Sequence, residues 1–92
     1  MKDQGRLLEA MGQGVVTIVF EKIDTKEIRK MPCTTNKEVA EMTMTVRTQD
    51  PMSNTIVTYA LDKKAWRDVR TDTIIEWYKG YPDNLWVKTE NI

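Results

Sequence analysis

The stretch GVVTIVFE (residues 14–21) decides the fold, because its β-branched and aromatic residues alternate between two faces. In an extended chain Val16, Ile18 and Phe20 share one face, and the residues between them share the other. This period of two predicts a β-strand with at least one buried face. The polar residues 24–26 then separate it from a second extended run at 27–33, which predicts an antiparallel hairpin.

The rest of the chain continues in short extended runs between turn-forming residues. Pro32 has no backbone N–H and is expected at a sheet edge or at the exit of the second strand. A strand at 55–61 has no charged residue to protect its edge, so it invites pairing if it lies at the end of the sheet. Further strands are predicted at residues 42–46, 66–70 and 74–78, and a strand or a packed tail at 85–87.

Two short helices are predicted beside these strands. Residues 2–11 place Leu7 and Met11 on one helical face, and Gly12 and Gly14 follow as stop residues. The capping residues at 34–36 precede a turn of helix at 37–41.

Together these elements predict a single small domain, since 92 residues leave room for one core. The fold class is mainly β, a small five- or six-stranded antiparallel barrel with a short N-terminal helix, because closing the sheet hides its edges. The expected organisation is a helix at 1–13, the barrel at 14–78, and an extension at 79–92 that packs on the barrel or extends it.

Composition limits the chemistry that this chain can perform. Fourteen basic and fourteen acidic residues give a net charge of zero, which argues against a bulk nucleic-acid binder and against a nucleic-acid mimic. Without histidine and with one cysteine, the usual general base and zinc ligands are missing. We therefore expect no enzyme, no cofactor and no metal. A lone cysteine needs no oxidising compartment, and no apolar run approaches the roughly 20 residues of a membrane span.

Three segments, GVVTIVF (14–20), RKMPCT (29–34) and LDKKAWRDVRTDTI (61–74), resemble a family of small tailed-bacteriophage proteins. That family is described as WYL-like, with an Sm-like SH3 β-barrel fold, and the resemblance extends from residue 14 to about 77. It implies the barrel fold and a phage origin. Because the lone cysteine makes the cytoplasm the default setting, the cytoplasm of the host cell is the expected place of action. The resemblance implies no reaction and assigns no catalytic residue. Sm-like and SH3-like barrels elsewhere bind RNA, peptides or small ligands, and WYL domains are linked to nucleotide or nucleic-acid sensing.

Aromatic residues concentrate late in the chain, where five of the seven lie between Trp66 and Trp86. Trp66 and Trp77 fall within predicted strands and are expected to fill the barrel. Tyr78 follows Trp77 directly and should point to the opposite face. Tyr78, Tyr81 and Trp86 either form an interaction surface for bases or a peptide or belong to a C-terminal segment packed on the barrel.

Basic residues surround the first tryptophan of this group. Lys63, Lys64, Arg67 and Arg70 form either a weak phosphate-contacting patch or a solvated turn. Arg67 and Arg70 are three residues apart, so a regular strand places them on opposite faces. A second basic run at 22–30 is mixed with acids, which favours a role in solubility.

The acidic residues and the cysteine give no catalytic prediction. Asp62, Asp68, Asp72 and Glu76 are the densest acids, yet a hydrolase or metal site needs acids that converge in a cleft. Cys33 has no histidine to activate it and is expected to be buried and inert.

The sequence leaves two functions open. The first is a module that binds a host or viral protein through the aromatic and basic surface, since protein interfaces are enriched in Tyr and Trp. The second is binding of single-stranded nucleic acid or a nucleotide through Arg67, Arg70 and the nearby aromatic rings. A homo-oligomer formed by edge-strand pairing is also expected, and no membrane partner is.

Overall fold

The computed structural model describes residues 4–40, 49 and 53–82. In chain order these residues form helix α1 (Gln4–Gln13), strands β1 (Val16–Glu21) and β2 (Ile28–Thr34), helix α2 (Lys37–Ala40), strands β3 (Thr55–Ala60) and β4 (Ala65–Arg70), a 3₁₀ turn (Thr71–Thr73) and strand β5 (Ile74–Lys79). The strands predicted at 42–46 and 85–87 lie outside the described residues, as does Trp86.

The five strands form one sheet in the order β4-β3-β2-β1-β5, and every pairing is antiparallel. β1 pairs with β2 on one side and with β5 on the other, while β3 pairs with β4. The two terminal strands, β4 and β5, are joined by the 3₁₀ turn, so the chain itself brings the ends of the sheet together. The mainly β fold with an N-terminal helix is therefore confirmed.

One face of the sheet and the apolar side of α1 enclose the core. Its buried residues are Leu7, Ala10, Met11, Val16, Ile18, Met31, Cys33, Ile56, Ala60 and Val69, with Leu8, Phe20, Ile74 and Trp77 packed against them. The alternation predicted for 14–21 is confirmed, because Val16 and Ile18 are buried in this core and Phe20 packs against it. Thr17 and Val19 on the other face are also buried, which explains why β1 carries no charge on either face before the exposed Glu21 at its end.

Trp66 does not fill the barrel, so that prediction is wrong. It lies opposite Tyr59 in the β3–β4 pair, and the two rings meet edge to face with centroids 5.7 Å apart. The register places Val69 opposite Ile56 in the core, so Trp66, three residues earlier, points to the opposite face of the sheet, where it is half-buried beside Tyr59. Trp77 faces Ile18 and packs against the core, as predicted.

Pro32 lies near the end of β2, which is an internal strand, so the edge alternative for this residue is wrong. The Pro32 carbonyl accepts a hydrogen bond from the Leu61 N–H at 2.9 Å. Both backbone groups of a strand residue point to the same side, so the missing N–H would also face β3. Because the missing N–H faces β3, the proline removes no bond from the β1–β2 ladder, and β3 itself has already ended at Ala60.

β3 is also internal, between β2 and β4, so it is not the terminal strand whose edge invites pairing. It pairs with β2 only at Cys33↔Ala60 and Thr34↔Tyr59. Beyond Thr34 the chain turns into α2, and a side chain replaces the strand: Gln49 accepts from the Val57 N–H at 2.9 Å and donates to the Val57 carbonyl. A single amide thus satisfies the backbone groups that β2 leaves open.

The end of α1 is tied to the end of β2. The buried Thr34 hydroxyl lies 2.9 Å from the Met11 carbonyl and 2.7 Å from the Gly14 carbonyl, and it accepts the Asn36 N–H at 3.0 Å. The Asn36 side chain caps α2, as predicted for 34–36, by accepting two of its first backbone N–H groups. Its amide also donates to the Gly12 carbonyl, so this one residue serves both helices.

Candidate interaction groove

One wall of a concave region beside the sheet is the turn between β1 and β2. Two backbone hydrogen bonds close the turn: the Lys22 N–H donates to the Glu27 carbonyl at 2.8 Å, and the Lys26 N–H donates to the Lys22 carbonyl at 2.9 Å. Lys26 adopts a left-handed conformation with φ of 64°, which completes the reversal of the chain. The tight turn holds Ile23 away from the core, and 57% of this residue is exposed.

The opposite wall is the connection between β4 and β5. The Thr73 hydroxyl donates to the Arg70 carbonyl at 2.7 Å, and the Thr71 N–H donates to the Asn54 carbonyl at 2.8 Å. These bonds fix the 3₁₀ turn against the sheet. The Arg70 guanidinium lies 2.8 Å from the Asp72 carboxylate, and both side chains are more than half exposed.

Between these walls lie two adjoining concavities of about 320 and about 540 Å³ that share Glu21, Ile23, Arg70 and Thr73. We call them together the hairpin groove. The smaller one is also lined by Lys26, Asp72, Ile74 and Ile75, and the larger one by Phe20, Lys22, Asp24, Arg67, Asp68 and Val69. Of these, Ile75 is 58% exposed, so the groove offers two large aliphatic side chains, Ile23 and Ile75, to a partner.

The charges of the hairpin groove balance. Four cations line it, Lys22, Lys26, Arg67 and Arg70, together with four anions, Glu21, Asp24, Asp68 and Asp72. A phosphate backbone would meet as many carboxylates as ammonium and guanidinium groups, so the groove lacks the one-signed field that draws nucleic acid. Mixed charges around exposed apolar side chains are typical of protein interfaces.

Only part of the surface predicted from the sequence is brought to this groove. Arg67 and Arg70 both line its larger concavity, although the register places them opposite Thr58 and Thr55 on different faces of the sheet. They meet because Arg70 ends β4, where the chain turns into the 3₁₀ turn and leaves the plane of the sheet.

The other predicted surface residues lie elsewhere. Lys63 and Lys64 occupy the turn between β3 and β4, at the opposite end of β4 from Arg70. Tyr78 pairs with Thr17 near the far end of β5, half-buried on the outer face, and Tyr81 follows β5 with 54% of its surface exposed. The described residues therefore do not bring the predicted set together as one patch.

Ile23 and Ile75 are the groove residues that sequence reasoning missed. Ile23 is an apolar residue in an otherwise polar turn, and that position is the one available sequence signal. In the pairing of β1 with β5, Val19 pairs with Glu76 and the next residue, Phe20, pairs with Ile74. The register therefore shifts by one residue, and Ile75 is left without a partner on β1. The irregularity turns Ile74 toward the core and leaves Ile75 outside, which a regular alternation does not predict.

Cys33 is buried, and Asp62 and Asp72 are engaged in ion pairs. Burial raises the pKa of the Cys33 thiol to about 12, so the thiol is protonated near neutral pH, as expected of an inert core residue. Asp62 is held by Arg29 and Asp72 by Arg70, each at 2.8 Å.

Among residues 4–40, 49 and 53–82, no three His, Cys, Asp or Glu side chains come together as a metal site. Within the same residues, none of the helices has the length and apolar character needed to cross a bilayer.

Comparison with known proteins gives one match. The family model described as "WYL_2, Sm-like SH3 beta-barrel fold" matches residues 4–75, from α1 into β5, and so includes both walls of the hairpin groove. No curated protein and no solved structure matches the chain.

Proposed function

The chain belongs to the WYL_2 family with an Sm-like SH3 beta-barrel fold, and from this premise we propose that it is a non-catalytic module that binds a partner protein in the hairpin groove. The observation that carries the proposal is the groove itself, in which the exposed Ile23 and Ile75 lie among balanced charges. A fold alone does not fix a function, so the argument rests on this surface.

The apolar side chains supply the affinity in this proposal. Ile23 and Ile75 are both more than half exposed, and covering such side chains releases roughly 25 cal/mol per Å² of apolar surface. The surrounding charges supply the orientation, because charges such as Lys22, Lys26 and Asp24 attract an opposite charge on the partner and repel a like one.

The partner proposed is a host or viral protein, and the place of action is the host cell cytoplasm. This part of the proposal follows from the sequence resemblance to small tailed-bacteriophage proteins, and the role proposed with it is that of a phage accessory protein in host takeover or counter-defence. A homo-oligomer is a further proposal, and light scattering at tens of micromolar protein would detect it.

The test is affinity capture with groove variants. The full chain, tagged, is expressed during infection, and the recovered proteins are identified by mass spectrometry for the native sequence, for Ile23→Asp, for Ile75→Asp and for the matched control Val39→Asp. Val39 is also an exposed aliphatic residue, at 39%, but it lies on α2 and not in the groove. We expect a specific protein that the native chain and Val39→Asp recover and both groove variants lose.

Binding of single-stranded nucleic acid is the alternative outcome of the same experiment. Nucleic acid is extracted from each eluate, and its recovery is compared at low and high salt, because phosphate contacts weaken steeply as salt rises. Salt-sensitive recovery of nucleic acid that Arg67→Ala abolishes, without a groove-dependent protein, would replace the proposal with the nucleic-acid function.

A further inference from the structure

A second surface lies along the edge of β2 that faces β3, at the point where the two strands separate. The β2–β3 ladder contains the pairs at Thr34 and Cys33 and the bond from the Leu61 N–H to the Pro32 carbonyl. The next partner along β3 would be Lys63, but the chain has already turned toward β4. Among residues 4–40, 49 and 53–82, the first half of β2 is therefore paired on one side, with β1.

The backbone direction follows from the same bond. Alternate residues of a strand point their N–H and C=O groups to the same side, so Lys30 and Ile28 face the same way as Pro32, away from β1. The hydrogen bond from the Lys22 N–H to the Glu27 carbonyl agrees with this direction. It shows that the odd-numbered residues of this segment point their backbone groups toward β1, so the even-numbered ones point away from it. Within the described part of the chain, no backbone hydrogen bond reaches Ile28 or Lys30 from this open side.

The two ends of the β2–β3 ladder differ in how their backbone groups are satisfied. At the Thr34 end, the Gln49 amide satisfies the backbone of Val57. At the Ile28 end, a recess of about 270 Å³ adjoins the unpaired edge. Two outward-facing residues at alternate positions, roughly 7 Å apart, match the repeat of an added strand.

The recess is basic in a chain of zero net charge. Four cations line it, Lys22, Arg29, Lys30 and Lys63, against two anions, Glu27 and Asp62. The Asp62 carboxylate is already engaged by Arg29 at 2.8 Å, and this ion pair joins the β3–β4 turn to β2. Ile28, with 51% of its surface exposed, adds an apolar contact beside the edge.

We propose that the open edge of β2 at Ile28 and Lys30 binds an extended acidic peptide segment by strand addition. The peptide backbone pairs with the two free residues, and its carboxylates face Lys30, Lys63 and Lys22. Of the residues that line this recess, Lys22 also lines the hairpin groove, but Ile28, Lys30 and Lys63 do not, so failure of this proposal leaves the groove proposal intact.

The test uses a fluorescein-labelled peptide of four Val-Glu repeats with the full chain, followed by fluorescence anisotropy and by amide hydrogen exchange. We expect saturable binding and at least tenfold slower exchange of the Ile28 and Lys30 amides in the complex. The double variant Lys30→Glu with Lys63→Glu should weaken binding at least tenfold, whereas the matched control Lys37→Glu with Lys79→Glu should leave it unchanged.

Control peptides separate strand pairing from charge. Two N-methylated versions, one methylated on the valines and one on the glutamates, keep the charge and block one edge of the strand each. At least one of them should lose tenfold in affinity, and a peptide of Val-Lys repeats should not bind. The proposal is overturned by absence of binding, by parent-like binding of both methylated peptides, by equal binding of the Val-Lys peptide, or by unchanged exchange at Ile28 and Lys30.

Discussion

Replacing Thr34 by valine should uncouple helix α1 from the sheet without changing the shape of the core. The hydroxyl is fully buried and lies between the Gly14 carbonyl at 2.7 Å, the Met11 carbonyl at 2.9 Å and the Asn36 N–H at 3.0 Å. Valine has nearly the same shape, so the packing term is small and the lost hydrogen bonds dominate.

The size of the effect can be worked from the partners that remain. The Met11 carbonyl keeps the Thr35 N–H at 3.1 Å, so it stays satisfied. The Gly14 carbonyl and the Asn36 N–H each lose the bond that Thr34 made, at about 1 to 1.5 kcal/mol apiece for part-buried groups. The free energy of unfolding should therefore fall by about 2 to 3 kcal/mol, which lowers the Tm by roughly 8 to 24 °C for a domain of this size.

The assay is urea unfolding followed by tryptophan fluorescence and checked by thermal denaturation. The matched control is Thr73→Val, which removes an exposed hydroxyl whose one acceptor, the Arg70 carbonyl, water can reach. The control should stay within about 0.5 kcal/mol of the native chain. If Thr34→Val also stays within that range, the hydrogen bonds of Thr34 that join α1 to β2 contribute nothing to stability, and the reasoning is refuted.

Three further predictions concern the interior and its borders. Gln49→Leu should lower stability by about 1 to 2 kcal/mol because both backbone groups of Val57 lose their partner, and Gln49→Glu should cost less, since it keeps the acceptor. The folded pKa of Cys33 is about 12 against an ordinary 9.0, so the native chain should resist iodoacetamide at pH 8. The stability that this thiol contributes should be lost as pH rises from about 9 toward 12, and Cys33→Ala should not show this fall in the free energy of unfolding. A double-mutant cycle on Arg29 and Asp62 should give a coupling of about 0.5 to 1 kcal/mol, and a value of zero would contradict the ion pair at 2.8 Å.

Local patterns in the sequence were enough to predict most of the fold. The period of two at 14–21 follows directly from which side chains of β1 enter the core. Asn36 caps α2 through its own side chain, a contact that spans two or three residues. Trp77 and Tyr78 point to opposite faces because neighbouring residues in a strand always do.

Predictions that depend on pairing between distant segments were less successful. Trp66 was expected inside, but its face is set by the register of β4 against β3, which strand propensity does not encode. Pro32 was expected at an edge or at the strand exit; it lies near the exit, but of an internal strand, where it is tolerated because β3 ends where the missing N–H would point.

The candidate groove was the hardest feature to predict. Ile23 and Arg67 are distant in sequence and line the same concavity only after the ends of the sheet come together. Ile75 is exposed by an irregular register that no periodicity reveals.

Site-specific photo-crosslinking tests most directly whether the hairpin groove holds a partner protein. Benzoylphenylalanine is placed at Ile75 in the tagged full chain, with the same substitution at Val39 as the control, and cells are irradiated during infection. A discrete protein adduct at position 75 that is absent at position 39 is the predicted result. Equal adducts at both positions, or adducts that contain nucleic acid in place of protein, would contradict the account.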